Sequence, residues 1–107
     1  MKKIEDIIEV LKALGDPTRY KILELLASCG NNLCVTGISK KLEISQPVIS
    51  QHLKVLKNAK VVSADRAGYH IHYSINLNII TDLVEQLNSL KEISLGKCSK
   101  EDCMLKD

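Results

Sequence analysis

The sequence predicts a mostly helical α+β domain: four helices, a two-stranded hairpin and a closing helix. Three observations lead there. Apolar residues recur at helical spacing near both ends of the chain. The stretch ISQPVISQHLKVLKN has an apolar stripe on one side and amides, a hydroxyl and amines on the other. Finally, VVSADRAGYHIHYSI alternates at period two about a glycine.

Taken in order, Ile4, Ile7, Ile8, Leu11 and Leu14 share one face of a first helix, which Gly15 stops. Asp16-Pro17 starts a second, with Asp16 as N-cap and Pro17 where a missing N–H costs nothing. That helix carries Ile22, Leu23, Leu25 and Leu26 and ends near Ser28-Cys29-Gly30, before an Asn31-Asn32 turn. A short third helix covers about 35–42. Glu43-Ile44-Ser45 is a tight connection into a fourth helix, with Ser45 as its expected cap and Pro47 in its first turn. Segments 61–65 and 69–75 pair as a hairpin around Arg66-Ala67-Gly68, with Ile71, Tyr73 and Ile75 on one side and His70, His72 and Ser74 on the other. Ile79, Ile80, Leu83, Val84, Leu87 and Leu90 build the last amphipathic helix, which Gly96 stops. The expected organisation is one domain over 1–95 and a flexible, cysteine-bearing tail over 96–107.

Two helices joined by a three-to-four-residue turn, the second polar on its outer side, form a helix-turn-helix, and the hairpin makes it winged. Its fourth helix suits a DNA major groove. Gln46, Ser50 and Gln51 are the candidate base readers, because amides and hydroxyls match base-edge donors and acceptors. Lys54 and Lys57 are candidate phosphate contacts, and Arg66 is placed at the hairpin tip, within reach of a minor groove. His52 borders the apolar stripe, as a satisfied histidine or as a phosphate contact. Charge agrees: residues 36–73 hold six basic side chains against two acidic ones, whereas the remainder holds nine against eleven.

Composition narrows the classes further. With 45% apolar and 26% charged residues the chain is not a disordered polymer. Three tyrosines stand alone, without Phe or Trp, too few for single-strand binding by base stacking. The opening MKKIEDIIEVLKAL is not a signal peptide, and no apolar run approaches the roughly 18 residues of a membrane span. A cytoplasmic protein is expected, in which four cysteines suggest metal or redox chemistry rather than structural disulfides. No nucleophile–histidine–carboxylate order, phosphate loop or carboxylate pair stands out, so an enzyme is not expected.

At ALGDPTRYKILELLA, NLCVTGISKKLEISQPVISQHLKVLKNAKVV and RAGYHIHYSI the sequence resembles the ArsR/SmtB family of winged-helix repressors, from about residue 8 to residue 76. The resemblance implies a homodimer formed through the first and last helices. It also implies double-stranded operator DNA with half-sites about one helical turn apart, and an inducer that weakens DNA binding. One branch of the family carries Cys-Val-Cys at the start of the third helix; here NLCVTGIS keeps Cys34 but has Thr36 in the second position, a poor ligand for a soft ion. Another branch binds zinc through Asp and His of the last helix. This chain has Asp82 and Glu85 there but no histidine after His72, so that site is not expected. His70 and His72 are read as wing surface.

Some family members hold trivalent arsenic on cysteines near the C-terminus. The tail KCSKEDCMLKD is similar in kind, with Cys98 and Cys103. Eight extended residues beyond Leu95 reach at most about 28 Å, which brings Cys34 within range. Three thiolates, from Cys98, Cys103 and either Cys34 or Cys29, suit As(III), Sb(III), Cd(II) or Pb(II). No constitutive cofactor is expected. Two other readings stay open beside this one. In the first the cysteines are a thiol-redox or persulfide switch, with Lys97 and Lys100 favouring the Cys98 thiolate. In the second the chain is a ligand-independent DNA-binding or protein-interaction winged helix, Cys29 being a small buried hydrophobe at a helix end.

Overall fold

The computed structural model describes residues 4–29 and 32–96. Helix α1 (Ile4–Leu14) ends at Gly15, whose N–H bonds the Lys12 carbonyl. Helix α2 (Pro17–Ser28) starts as its sequence dictates: the Asp16 carboxylate accepts from the Arg19 N–H at 3.1 Å, and Pro17 occupies the first turn. Helix α3 (Val35–Leu42) closes on Glu43, held in the left-handed region at φ 57°. Helix α4 (Gln46–Asn58) follows after two further residues. Between them the Ser39 hydroxyl donates to the Ile44 carbonyl, and the Ile44 N–H returns to the Ser39 carbonyl at 3.2 Å. The helix-turn-helix corner is therefore fixed by Ser39 and a left-handed Glu43. Ser45 stands at the N-cap of α4, but its side chain makes no capping bond, contrary to expectation.

Lys60, at φ 66°, turns the chain out of α4 into β1 (Val62–Ala67), which pairs antiparallel with β2 (His70–Ile75) from Val62↔Ile75 to Ala67↔His70. The hairpin turn therefore lies one to two residues later than the sequence suggests. Arg66 pairs with Ile71, and the two-residue loop is Gly68-Tyr69, with Gly68 at φ 64°. Glycine first in a two-residue loop is the chemistry of a II′ hairpin turn, whose twist matches the strands. Arg66 and Ala67 need no positive φ and continue the strand. Leu33 adds a bridge to Tyr73, with the Tyr73 N–H donating to the Leu33 carbonyl at 2.8 Å. The start of α3 is thus tied to the wing.

At the hairpin base the Asn76 amide donates to the Lys60 carbonyl at 3.1 Å, and α5 (Leu77–Ser94) runs from there to Gly96 at φ 149°. One core joins all of these elements. Val10, Ile22, Leu26, Ile38, Ile49, Leu53, Leu56 and Val61 are fully buried, and Ile79 and Leu83 bring in α5. Tyr73 and Ile75 pack on this core from the wing, whereas Ile71, on the same side of β2, reaches past it into solvent. Among the described residues no polar side chain is buried, and no helix is long and apolar enough to cross a membrane.

Candidate nucleic-acid interface and cysteine positions

Helix α4 divides cleanly. Ile49, Leu53 and Leu56 seal its inner side, and Gln46, Ser50, Gln51, Lys54 and Lys57 are all exposed on the remainder. Residues 46–58 contain no carboxylate, so neither the lysines nor the positive N-terminal end of the helix is neutralised from within α4. The Ser45 hydroxyl, free of capping, stands at that same end. Such a surface presents donors and acceptors at its tip and cations along its length, the arrangement that base edges and phosphates require.

The wing lies beside it. Arg66 is exposed, though on β1 rather than at the tip. Tyr69 occupies the tip with its side chain entirely in solvent (101%).

His52 receives a definite place. Its Nδ1 lies 3.4 Å from Nη1 of Arg19 and 4.0 Å from Oδ2 of Asp16. Arg19 also donates from Nε to the Ala13 carbonyl at 2.6 Å and from Nη2 to the Lys12 carbonyl at 3.4 Å. It thereby ties the last carbonyls of α1 to α4. The Arg19 N–H, chiefly, holds the Asp16 carboxyl below the usual carboxylate range, and His52 and the Arg19 charge act in the same direction. His52 is therefore a joint between helices. Nothing in the periodicity of the sequence announced Arg19, because its partners are carbonyls of the preceding helix.

The cysteines are more scattered. Cys29 caps α2 with its N–H on the Leu25 carbonyl at 2.9 Å and is exposed, not buried as the sequence suggests, because the cap position lies past the apolar stripe of the helix. Cys34 is the N-cap of α3, half-buried, and makes no side-chain cap bond. It borders a crevice of about 210 Å³ together with Thr36, Tyr69 and His70. His70, read from the sequence as wing surface, is exposed and also faces this crevice. Among the described residues no group of three or more His, Cys, Asp or Glu side chains could hold a metal ion. Cys98 and Cys103 lie outside the described residues.

Helices α1 and α5 leave apolar side chains uncovered. Ile4, Ile8 and Leu11 of α1 and Leu77, Val84, Leu87, Leu90 and Ile93 of α5 are exposed. Between α2 and α5 lies a groove of about 430 Å³ lined by Leu14, Tyr20, Leu23, Ala27, Leu77 and Ile80 among others. Patches of that kind on a single chain mark an association surface.

Residues 16–64 match the family model of the bacterial regulatory proteins of the arsR family. The transcriptional repressor SdpR of Bacillus subtilis is 44% identical over 75 residues, which cover 70% of this chain and 81% of that one. The arsenical resistance operon repressor of Staphylococcus aureus is 31% identical over 103 residues, covering 88% of this chain and 97% of its own. Among solved structures, the homodimeric winged helix-turn-helix DNA-binding domain (fragment 1–100) of a possible ArsR-family transcriptional regulator from Mycobacterium bovis aligns with a TM-score of 0.68. That match is 26% identical and covers 86% of this chain and 83% of the other.

Proposed function

Because the chain belongs to the arsR family of bacterial regulatory proteins, we propose that it is a homodimeric repressor that grips operator DNA and releases it when its cysteines bind a thiophilic ion. The observation that carries the DNA half is α4, whose exposed Gln46, Ser50, Gln51, Lys54 and Lys57 surround a sealed apolar stripe. The first three read base edges, the lysines neutralise phosphates, and Arg66 supplies a further cation from the wing. Two copies of α4 reach two half-sites once α1 and α5 pair with those of a second protomer. The family is one of DNA-binding regulators rather than enzymes.

The inducer half rests on chemistry and on the name of a relative, the arsenical resistance operon repressor of Staphylococcus aureus. Cys34 offers one thiolate, and the Thr36 hydroxyl beside it is a poor donor to a soft ion. Cys98 and Cys103, with Cys34 or Cys29, supply the three thiolates that arsenite, antimonite, cadmium or lead prefer. Binding needs only a differential of a few kcal/mol between two dimer geometries to change operator occupancy.

The test is release. The reduced dimer on a labelled fragment of its own promoter is followed by anisotropy while arsenite, cadmium, a mild oxidant or a persulfide is added. Release by arsenite or cadmium under reducing conditions, abolished by Cys98→Ser with Cys103→Ser, is the expected result. Release by oxidant or persulfide alone would replace the ion by a thiol switch, and no release at all would leave a ligand-independent repressor.

A further inference from the structure

Two valines of α4, Val48 and Val55, each keep 41% of their surface exposed. Valine is a weak choice for an exposed helical position, because its branched Cβ loses rotamer freedom against the preceding turn. Val55 has a reason within the chain. It borders the crevice where Glu9, Lys12 and Ala13 of α1 meet Arg19, Asn58 and Ala59. Val48 stands seven residues earlier on nearly the same side, roughly 10 Å nearer the N-terminal end of the helix. Of the candidate base readers, Gln51 at i+3 is its neighbour on the helix surface, and both are exposed. It is a rigid apolar side chain in the first turn of the helix, beside one candidate base reader.

The geometry points to Val48 as the residue that recognises a thymine C5-methyl group in each operator half-site, an inference that rests on α4 reading DNA as proposed above. The thymine methyl is the one apolar group that base edges offer in a major groove. The N-terminal residues of a recognition helix are the ones that reach those edges. A valine fixed at χ1 makes that contact with little ordering cost, and it rejects cytosine, which has a hydrogen in place of the methyl. Gln51 lies at i+3, about 5–6 Å away between Cβ atoms. Base pairs stack about 3.4 Å apart, so the thymine lies one or two steps from the pair that Gln51 reads. Val48 thus adds a steric and apolar reader to the hydrogen-bonding set of Gln46, Ser50 and Gln51.

Deoxyuridine removes that methyl and nothing else. Each thymine of the protected promoter region is replaced singly by deoxyuridine, and affinity is compared for the full-length wild type, Val48→Ala, Val48→Thr and Val55→Ala. We expect one thymine per half-site at which deoxyuridine weakens the wild type about threefold to tenfold, in line with one buried methyl. Val48→Ala should bind the unmodified operator less tightly by a similar factor and be indifferent to deoxyuridine at that thymine alone. Val48→Thr, which keeps one methyl, should retain part of the sensitivity, and Val55→Ala should behave as wild type. A wild type indifferent to every substitution, or a Val48→Ala variant with the full wild-type profile, overturns the inference. Failure of the wild type to prefer its promoter over a scrambled duplex is a different result, and would remove the DNA-reading function itself.

Discussion

Helices α4 and α5 are both amphipathic, yet only one of them is finished within the chain. In α4 the apolar stripe of Ile49, Leu53 and Leu56 is sealed into the core, and what remains outside is mostly polar or cationic. In α5, eighteen residues long, only Ile79 and Leu83 are buried, while Leu77, Val84, Leu87, Leu90 and Ile93 face outward. The same periodic pattern thus has two meanings. A completed helix offers its polar side to a partner by charge and hydrogen bonding. An uncompleted one has an apolar side that water disfavours, the side that a second copy of α1 and α5 covers in the proposed dimer.

That contrast can be broken at its strongest point first. Leu53→Ala or Leu56→Ala should cost about 2–5 kcal/mol, because each empties a sealed part of the core. Urea denaturation reads this directly, and operator binding should disappear with the fold. Leu87→Glu with Leu90→Glu should do the opposite, leaving the circular dichroism of the reading head intact while sedimentation equilibrium reports monomers. Operator affinity should then fall about 10²-fold or more, since two linked half-site contacts become one. If the double variant stays dimeric, α5 is not the association surface.

Smaller effects separate the roles along α4. Gln51→Ala should cost about 1–3 kcal/mol of operator affinity and relax base preference at one position per half-site. Lys57→Ala should weaken all duplexes alike and lower the slope of log affinity against log salt by about one per protomer. The smallest effect belongs to Asp16. Its carboxyl is held below the ordinary value, so its contribution to stability is complete above that value and is lost as pH falls through the lowered one. Thermal melts between neutral pH and pH 2 should show Asp16→Ala less stable at neutrality and less acid-sensitive than wild type, the two curves converging at low pH.

Much of this architecture was legible because it rests on local chemistry. Pro17 after Asp16, Pro47 after Ser45, and the apolar spacing of 49, 53 and 56 each constrain a few neighbouring residues. The sequence misplaced what depends on long reach or exact pairing. The hairpin tip moved because Arg66 and Ala67 find partners in Ile71 and His70, leaving Gly68-Tyr69 as the loop. Ser45 takes the cap position without the cap bond, while Ser39 fixes the corner from inside α3. Arg19 was invisible because it acts on carbonyls six and seven residues earlier and on His52 in another helix. Thr36, which the sequence places two residues after Cys34, shares a crevice with it.

One measurement bears on the central claim more directly than any other. The purified protein is titrated into a labelled fragment of its own promoter, and into a scrambled duplex of equal length and composition, at about 0.15 M salt, with mass determined on the complex. Two protomers per operator are expected, with an affinity for the promoter at least about 10³-fold tighter than for the scrambled duplex. The preference should collapse when Gln51 and Ser50 become alanine. Equal binding to both duplexes, or a preference untouched by those substitutions, would contradict the claim.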